Sequence, residues 1–449
     1  MPSHLEALRS HLVRGPQSAA QLSDQLGVSQ PTVSRALSGL GQELVRVGAA
    51  RSARYALRDA ERGLPDISVY RVDTQGAIHM LGTLVPVRSQ GFVMREAGGA
   101  THHTDGLPWW LFDMRPQGYL GRAYAQRHGH LLGLPARLTD WSDTHALRAL
   151  LAHGHDMVGN VLLGDLARER FLTQRAPEPL AVSDKAQAYA TLSQEAARGD
   201  APGSSAAGEQ PKFMAYSQTA QGPCHVLVKF SEVPDSPVSQ RWRDLLLAEH
   251  LALQTLVDGG VAASRTQVLD HGVQRFLEVQ RFDREGALGR RGLISLAALD
   301  PAFVGAGPAE SNWPRLADRL VQGRHVTGDA SDTAKLLWAY GTLIGNTDMH
   351  NGNLTFVTET GRPYRLAPAY DMTPMAFAPR SGGGLPNAVP PAQFDAAVPG
   401  PVWRRAHDLA AKYLARLQAE PLLSVNFAPC VAALGQHMNH AAERMARIA

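Results

Sequence analysis

Leu5, Leu8 and Leu12 recur at helical spacing, and Gly15-Pro16 closes the helix they predict. Ala19, Leu22, Leu26, Val33 and Leu37 then form one apolar set across Ser18 to Leu37. That pattern predicts two helices joined by a tight turn at Gly27, the second capped by Ser29 with Pro31 in its first turn. Gln30, Thr32, Ser34 and Arg35 fall off the shared core, where they can face a DNA major groove. Leu44 to Arg58 reads as two short β-prone runs around Gly48-Ala49-Ala50, in the manner of a wing. Its Arg46, Arg51, Arg54 and Arg58, with no acidic residue among them, suit contact with a phosphate backbone. The same elements also serve in proteins as docking or dimerisation modules.

Asp59 to Asp66 is polar, broken by Gly63 and Pro65, and reads as a linker. Beyond it the period changes to two. Ile67 to Val72 and Ala77 to Leu84 alternate as strands joined by a turn at Asp73 to Gly76. Residues 176–203 read as a variable connection or a helix with flexible flanks. His225 to Ser231 is a β-branched-rich strand with a lysine, Lys229, inside it, and Arg275 to Arg284 begins as another strand. Leu245, Leu246, Ala248 and Leu251 mark a helix, as do Leu336, Leu337, Tyr340, Leu343 and Ile344 between Ser331 and Ile344. Trp403 to Gln418 and Val431 to Ile448 are also predicted helical. The fold class is mixed α/β (α+β).

Composition narrows the partners. The 449 residues suit several globular units, and 44% apolar residues can fill their cores. The net charge of +3 looks neutral until it is divided along the chain. Residues 1–62 hold eight arginines and five carboxylates, leaving 36 basic and 36 acidic residues elsewhere. The whole imbalance lies at the N-terminus, which points that segment alone toward nucleic acid. Cys224 and Cys430 are too few for a disulfide framework, so a reducing cytoplasm is expected. No leader pattern or bilayer-length apolar run is present, so neither secretion nor a membrane is indicated. His102-His103, His128-x-His130 and His153-x-His155 invite a zinc reading, but no Cys or carboxylate cluster completes a site.

The chemistry gathers in Gly345 to Leu354 and Leu366 to Pro374. Phosphoryl transfer from ATP needs a carboxylate near the attacking hydroxyl and oxygen ligands for Mg²⁺. Asp348, Asn353 and Asp371 can supply that set, in the chain order of the protein-kinase catalytic and metal loops. His350 can orient Asp348 or hold the loop's backbone. A polar loop whose Asp and Asn residues serve turns and caps is the plainer reading of either segment alone. Upstream, Pro202 to Phe213 is a run of small residues whose backbone N–H groups can approach phosphate oxygens; it is not a Walker loop. A flexible linker is its plainer reading. A cation inside the strand at Lys229 needs an exposed edge or an anion to receive it.

Asn346-x-Asp348-x-His350-x-x-Asn353 and Tyr370-Asp371-x-x-Pro374 resemble the catalytic and metal loops of the HipA family of bacterial serine/threonine kinases. The small-residue loop ending in Gln210-x-Lys212 and the Arg281-Phe282-Asp283-Arg284 run resemble that family too, as does the Leu107 to Asn160 stretch. The resemblance covers about residues 66–449. It implies a bilobal, protein-kinase-like fold, divided as follows: a winged helix-turn-helix over 1–62, a β-rich subdomain over 66–165, the rest of an N-lobe over 166–285 and a helical C-lobe over 286–449. Asp348 is then the catalytic base, and Asn353 and Asp371 are the Mg²⁺ ligands. Ser205, Gly208, Gln210, Lys212 and Lys229 hold ATP phosphates, and the connection at Gln280 and Phe282 meets adenine. By analogy with kinases, Glu249 is the candidate ion-pair partner of Lys229.

The family can phosphorylate a serine in its own phosphate loop and silence itself; here that is Ser205, with Ser204 beside it. Pro211 departs from the family, where relatives often carry Glu, and removes a backbone donor. Arg281, Asp283 and Arg284 can instead lock lobes together. The added helix-turn-helix is similar to the YjjJ branch of the family, where a DNA-binding element rides on the kinase chain. The resemblance implies a toxin-type protein kinase using ATP and Mg²⁺. Its substrate would be a protein, with aminoacyl-tRNA synthetases and other translation or nucleic-acid factors as family precedents. DNA would be a second partner through residues 1–62, and a homodimer is compatible with the sequence. A small-molecule kinase and a nucleotide-sensing transcriptional regulator are the alternatives.

Overall fold

A computed structural model describes residues 2–49, 52–198 and 210–448. Arg51, Ser204, Ser205 and Gly208 lie outside the described residues. The chain opens with α1 (Pro2–Leu12), β1 (Gln17–Ser18), α2 (Ala19–Leu26) and α3 (Gln30–Ser38). A hairpin of β2 (Leu44–Val47) and β3 (Arg54–Leu57) follows, and β1 joins its edge. Leu8, Leu12, Leu22, Val33 and Leu37 form the shared core expected from their spacing. Gly27 makes the turn with φ 62°, a conformation that favours glycine. Ser18 caps α2 by accepting from the Gln21 amide. Ser29 stands before α3 with a side chain that accepts no backbone amide; its hydroxyl pairs instead with that of Thr32 at 3.0 Å.

The expected linker is not a tether. Asp59 is buried and its amide donates to the Pro86 carbonyl at 3.0 Å, while Leu64 enters the next core. The physical reason lies in the hairpin, where side chains alternate between faces. Leu44, Tyr55 and Leu57 cover the helices. Val45, Val47 and Ala56 pack against Val85, Val87 and Val93 of the following sheet. The winged unit therefore docks on its neighbour through a dry, aliphatic interface.

That neighbour is a five-stranded antiparallel sheet in the order β7-β6-β5-β4-β8. Its strands are β4 (Ile67–Val72), β5 (Ile78–Val87), β6 (Gly91–Glu96), β7 (Thr101–Thr104) and β8 (Val161–Leu163). Helices α4 (Gly118–His128), α5 (Asp143–His153) and α6 (Gly164–Thr173) complete this middle unit, with Leu111, Met114, Leu147 and Leu150 in its core. The His128 and His153 rings lie 4.5 Å apart. Among the described residues no group of three or more metal-ligating side chains forms, so the zinc reading finds no support there.

Next come α7 (Lys185–Ala197) and a four-stranded sheet in the order β11-β12-β10-β9. These strands are β9 (Lys212–Thr219), β10 (Gly222–Phe230), β11 (Thr266–His271) and β12 (Gln274–Gln280). Helix α8 (Pro237–Asp258) lies against one face. Phe213, Val226, Val228 and Phe276 pack on the other with Tyr189 of α7.

A short hairpin, β13 (Arg284–Glu285) and β14 (Gly289–Arg290), leads to β15 (Leu293–Ser295) and α9 (Leu296–Leu299). The larger lobe is built from α10 (Trp313–Gln322), α11 (Gly328–Leu343), α12 (Gly400–Ala419) and α13 (Ala428–Ile448). Between α11 and α12, β16 (Thr355–Val357) and β17 (Arg365–Leu366) extend the sheet begun by β15. Leu336, Leu337, Tyr340, Leu343 and Ile344 are buried, so α11 is the scaffold its pattern predicts. Among the described residues no helix is long and apolar enough to cross a membrane.

Because the docking face of the hairpin is aliphatic, Val85→Asp should place an unpaired charge in it, at a cost of roughly several kcal/mol. We expect a lower melting temperature and new protease cleavage between residues 58 and 66, read by mass spectrometry. An unchanged digestion pattern would show that the two units are not held by this interface.

Candidate active site

The smaller-lobe sheet presents Lys212, Met214, Leu227, Lys229 and Val279 to a cavity of about 280 Å³ between the lobes. The alternation of strand faces selects this set, because Phe213, Val226 and Val228 point the other way into the core. Lys212 and Lys229 stand directly opposite each other in the β9–β10 register, and both are buried. Two like charges so placed repel unless anions lie between or beside them. The strand β10 is internal to its sheet, so Lys229 is not an exposed edge lysine.

The Lys229 ammonium is 2.7 and 2.8 Å from the two carboxylate oxygens of Glu249 on α8, and it also pairs with Asp371. Burial alone would depress its pKa, but the carboxylates of Asp371 and Glu249 more than reverse that and hold it above the ordinary lysine value. Burial likewise favours neutral Asp371, while Lys229 and Lys212 keep its carboxyl below the usual range. Thr373 adds a hydrogen bond to Glu249 at 2.8 Å.

The chain leaves α11 at Gly345, φ 76°, and enters the loop that carries Asp348, His350 and Asn353. Asn346, which was not assigned a role from sequence, is the hub of this loop. Its side chain donates to the Asp371 carbonyl at 3.1 Å and accepts the Asp348 amide at 3.0 Å. It thereby ties the two motif loops together and supports Asp371 at φ 55°, a backbone conformation that costs a non-glycine residue about 1–3 kcal/mol. The only sequence signal for it was membership of the motif.

Asn353 donates through Nδ2 to the Asp348 carbonyl at 3.0 Å, which leaves its Oδ1 available. Asn353 and Asp371 line the same cavity. Two oxygen donors suit a hard cation such as Mg²⁺ that keeps phosphate and water ligands. Asp348 is exposed beside them. Partial desolvation raises its pKa; His350 opposes that rise, and the like charge of Asp371 adds to it. His350 accepts from the Gly352 amide at 3.0 Å, and its carbonyl receives the Asn353 amide and the Trp313 indole N–H. These contacts make it a holder of the loop.

Gln280 and Phe282 line the cavity, Phe282 lying 5.6 Å from the Tyr370 ring. Tyr370 in turn donates to the Gly352 carbonyl at 2.7 Å. Gln210 is half-buried and does not line the cavity.

Sequence reasoning missed the middle unit's share of this site. Phe112, Asp113, Gln117 and Val158 line the cavity. Asp113 accepts from both the amide and the hydroxyl of Ser295 at 2.6 Å. The Arg281, Asp283 and Arg284 group locks the inter-lobe connection to the middle unit rather than one lobe to the other. Asp283 pairs with both arginines and accepts the Gly159 amide at 3.1 Å. Arg284 reaches the Asp156 carboxylate and the Met157 carbonyl. Val158 is held against the cavity by this clamp.

In the winged unit, Gln30, Ser34, Arg35, Arg46 and Arg54 are exposed and Thr32 is half-buried. The face expected to meet DNA is open to solvent. Arg58 is instead engaged with Asp66 and the Gln42 carbonyl.

The architecture is thus a bilobal kinase-type fold with a winged helix and a β-rich unit ahead of it. Residues 64–172 match the family description "YjjJ-like toxin, middle domain", and residues 204–424 match "HipA-like C-terminal domain". Toxin YjjJ of Escherichia coli (strain K12) is 37% identical over 446 residues, which is 99% of this chain and 100% of the relative. The HipA–HipB–operator DNA complex of Shewanella oneidensis MR-1 contains a chain similar in fold, with TM-score 0.51 and 16% identity. That match covers 84% of this chain and 97% of the other. The chain belongs to the YjjJ-like branch of the HipA toxin family.

Burial would raise the Asp283 carboxyl, but Arg281 and Arg284 hold it far below the usual range. Its ionised form therefore contributes stability fully above the roughly 3.9 of an unfolded Asp, and that contribution is lost as pH falls toward the lower folded value. We expect Asp283→Asn to lower stability by on the order of 3–5 kcal/mol at neutral pH, since it takes the paired carboxylate from the buried Arg281 and leaves Arg284 with Asp156. Urea midpoints at pH 7 and pH 3 check this: the difference from wild type should shrink in acid.

Proposed function

We propose that this chain is an ATP- and Mg²⁺-dependent serine/threonine protein kinase of toxin type. The observation that carries the reading is the paired, buried Lys212 and Lys229, facing a cavity that Asn353 and Asp371 also line. Two cations and two oxygen donors around one cavity suit a polyphosphate with its metal. When bound, Mg·ATP would supply the phosphoryl group and neutralise its developing charge.

The chain's own groups do the rest. Lys212 and Lys229 hold phosphates, Glu249 orients Lys229, and Met214, Leu227 and Val279 cover a base beside Gln280 and Phe282. Asn353 and Asp371 hold the metal. Asp348 accepts a hydrogen bond from the attacking hydroxyl and orients it, most of the acceleration coming from position and electrostatics. The exposure of Asp348 suits access by a protein side chain. Ser205, with Ser204 beside it, is the proposed autophosphorylation site. A protein substrate in translation is proposed from the family, and DNA contact is assigned to Gln30, Thr32, Ser34, Arg35, Arg51 and Arg54 of residues 1–62.

Phosphopeptide mass spectrometry after incubation with Mg·ATP tests the reading. Wild type should acquire phosphate on Ser205 or Ser204, and Asp348→Asn should acquire none. Nucleotide binding with no transfer from wild type would favour a nucleotide-sensing regulator. The raised Asp348 carboxyl gives a second expectation: the acid limb of the rate profile should lie above the about 3.9 of a free aspartate. Transfer that persists undiminished below that value would remove Asp348 from the step. Lys229→Met should lower kcat/KM for ATP by roughly a hundredfold or more, measured with labelled nucleotide.

A further inference from the structure

Helix α8 carries more than Glu249. Two turns earlier, at about 12 Å along its axis, Arg241 is buried with only 4% of its surface exposed. Its guanidinium donates to the Phe377 carbonyl at 3.0 Å, the Pro386 carbonyl at 2.8 Å and the Asn387 side-chain oxygen at 2.8 Å. All three acceptors lie in the segment that follows Asp371 and precedes α12. That segment has almost no regular structure of its own, only a short turn at Met375–Phe377.

The same segment is held by α8 at its other end, where Glu249 accepts from Thr373. It also contacts the catalytic loop, because the Ala376 amide donates to the Gly345 carbonyl at 3.0 Å. One helix therefore grips both ends of residues 373–387, with Asp371 directly before them. The helix is in turn fixed to the larger lobe, since Asp244 accepts the amide and hydroxyl of Ser424 at 2.9 and 2.6 Å. A planar guanidinium can satisfy three acceptors in fixed directions at once, which an ammonium on a flexible stem does less well.

We infer that Arg241 is a positioning residue that sets the metal-binding geometry of Asp371 by pinning the 377–387 segment to the helix that carries Glu249. The inference rests on the kinase reading of the cleft. It separates two functions of the site: the β9, β10 and β12 strands that would hold the nucleotide do not depend on Arg241, whereas Asp371 does.

The test uses the full chain as wild type, Arg241→Met, Arg241→Lys and Asn387→Ala. Binding of a non-hydrolysable ATP analogue is measured by calorimetry with and without Mg²⁺, and phosphate transfer is followed alongside. For Arg241→Met, metal-free affinity should stay within about twofold of wild type, while kcat falls roughly tenfold to a hundredfold and the Mg²⁺-dependent gain in affinity shrinks. Arg241→Lys should recover part of both, and Asn387→Ala should show a smaller loss of the same kind. An intact Mg²⁺ gain in folded Arg241→Met, or a loss of metal-free affinity in parallel, overturns the inference. If Arg241→Met does not fold, Asn387→Ala decides, and an unchanged Mg²⁺ gain there overturns it. A wild-type chain with no Mg²⁺ gain overturns the kinase reading and this inference with it, whereas an Mg²⁺ gain in wild type that the variants share overturns the inference alone.

Discussion

An ammonium buried in protein carries a desolvation penalty on the order of several kcal/mol, and it persists only where fixed anions compensate. Lys229 meets that condition through two carboxylates that arrive from different parts of the chain, Glu249 on α8 and Asp371 after β17. Removing either would leave the buried ammonium a single counter-charge, so the smaller-lobe sheet, the helix behind it and the loop that carries Asp371 are mutually dependent. Lys212 across the strand pair sharpens the constraint, because a second cation at the same register raises the demand for negative charge.

The middle unit joins both ends of the molecule to that cleft. Its sheet receives the winged unit through Val85, Val87 and Val93, and its Asp156 to Gly159 turn is clamped to the inter-lobe connection by Asp283 and Arg284. It also lends Phe112, Asp113, Gln117 and Val158 to the cavity wall. The exposed face of α3 and the cleft are thus parts of one packed chain rather than beads on a flexible string.

The elements with strong periodicity were legible without the fold. The helices around Leu22 and Val33 and the α11 scaffold follow from the spacing of their apolar residues, and the strand holding Lys229 follows from its β-branched run. The motif loops placed Asp348, Asn353 and Asp371 together, since loop chemistry is carried by residue type and order. The residues that escaped were those whose roles depend on long-range partners. Asn346 looks like any loop amide until the Asp371 carbonyl appears beside it. Arg241 looks like a solvated charge on a helix until three acceptors 136 to 146 residues away converge on it. The stretch from Asp59 to Asp66 read as a linker because composition reports polarity but cannot report that a neighbouring sheet offers its backbone a partner.

The central claim is that the Lys229–Asp371 contact marks a nucleotide and metal site. A crystal structure of the full chain with a non-hydrolysable ATP analogue and Mg²⁺ tests it most directly. The account predicts nucleotide in the cavity, phosphates on Lys212 and Lys229, Lys229 still paired with Glu249, and Asp371 turned from the lysine to a metal shared with Asn353. A nucleotide bound elsewhere, or a cavity in which Asp371 remains on Lys229 with no metal beside Asn353, would contradict it.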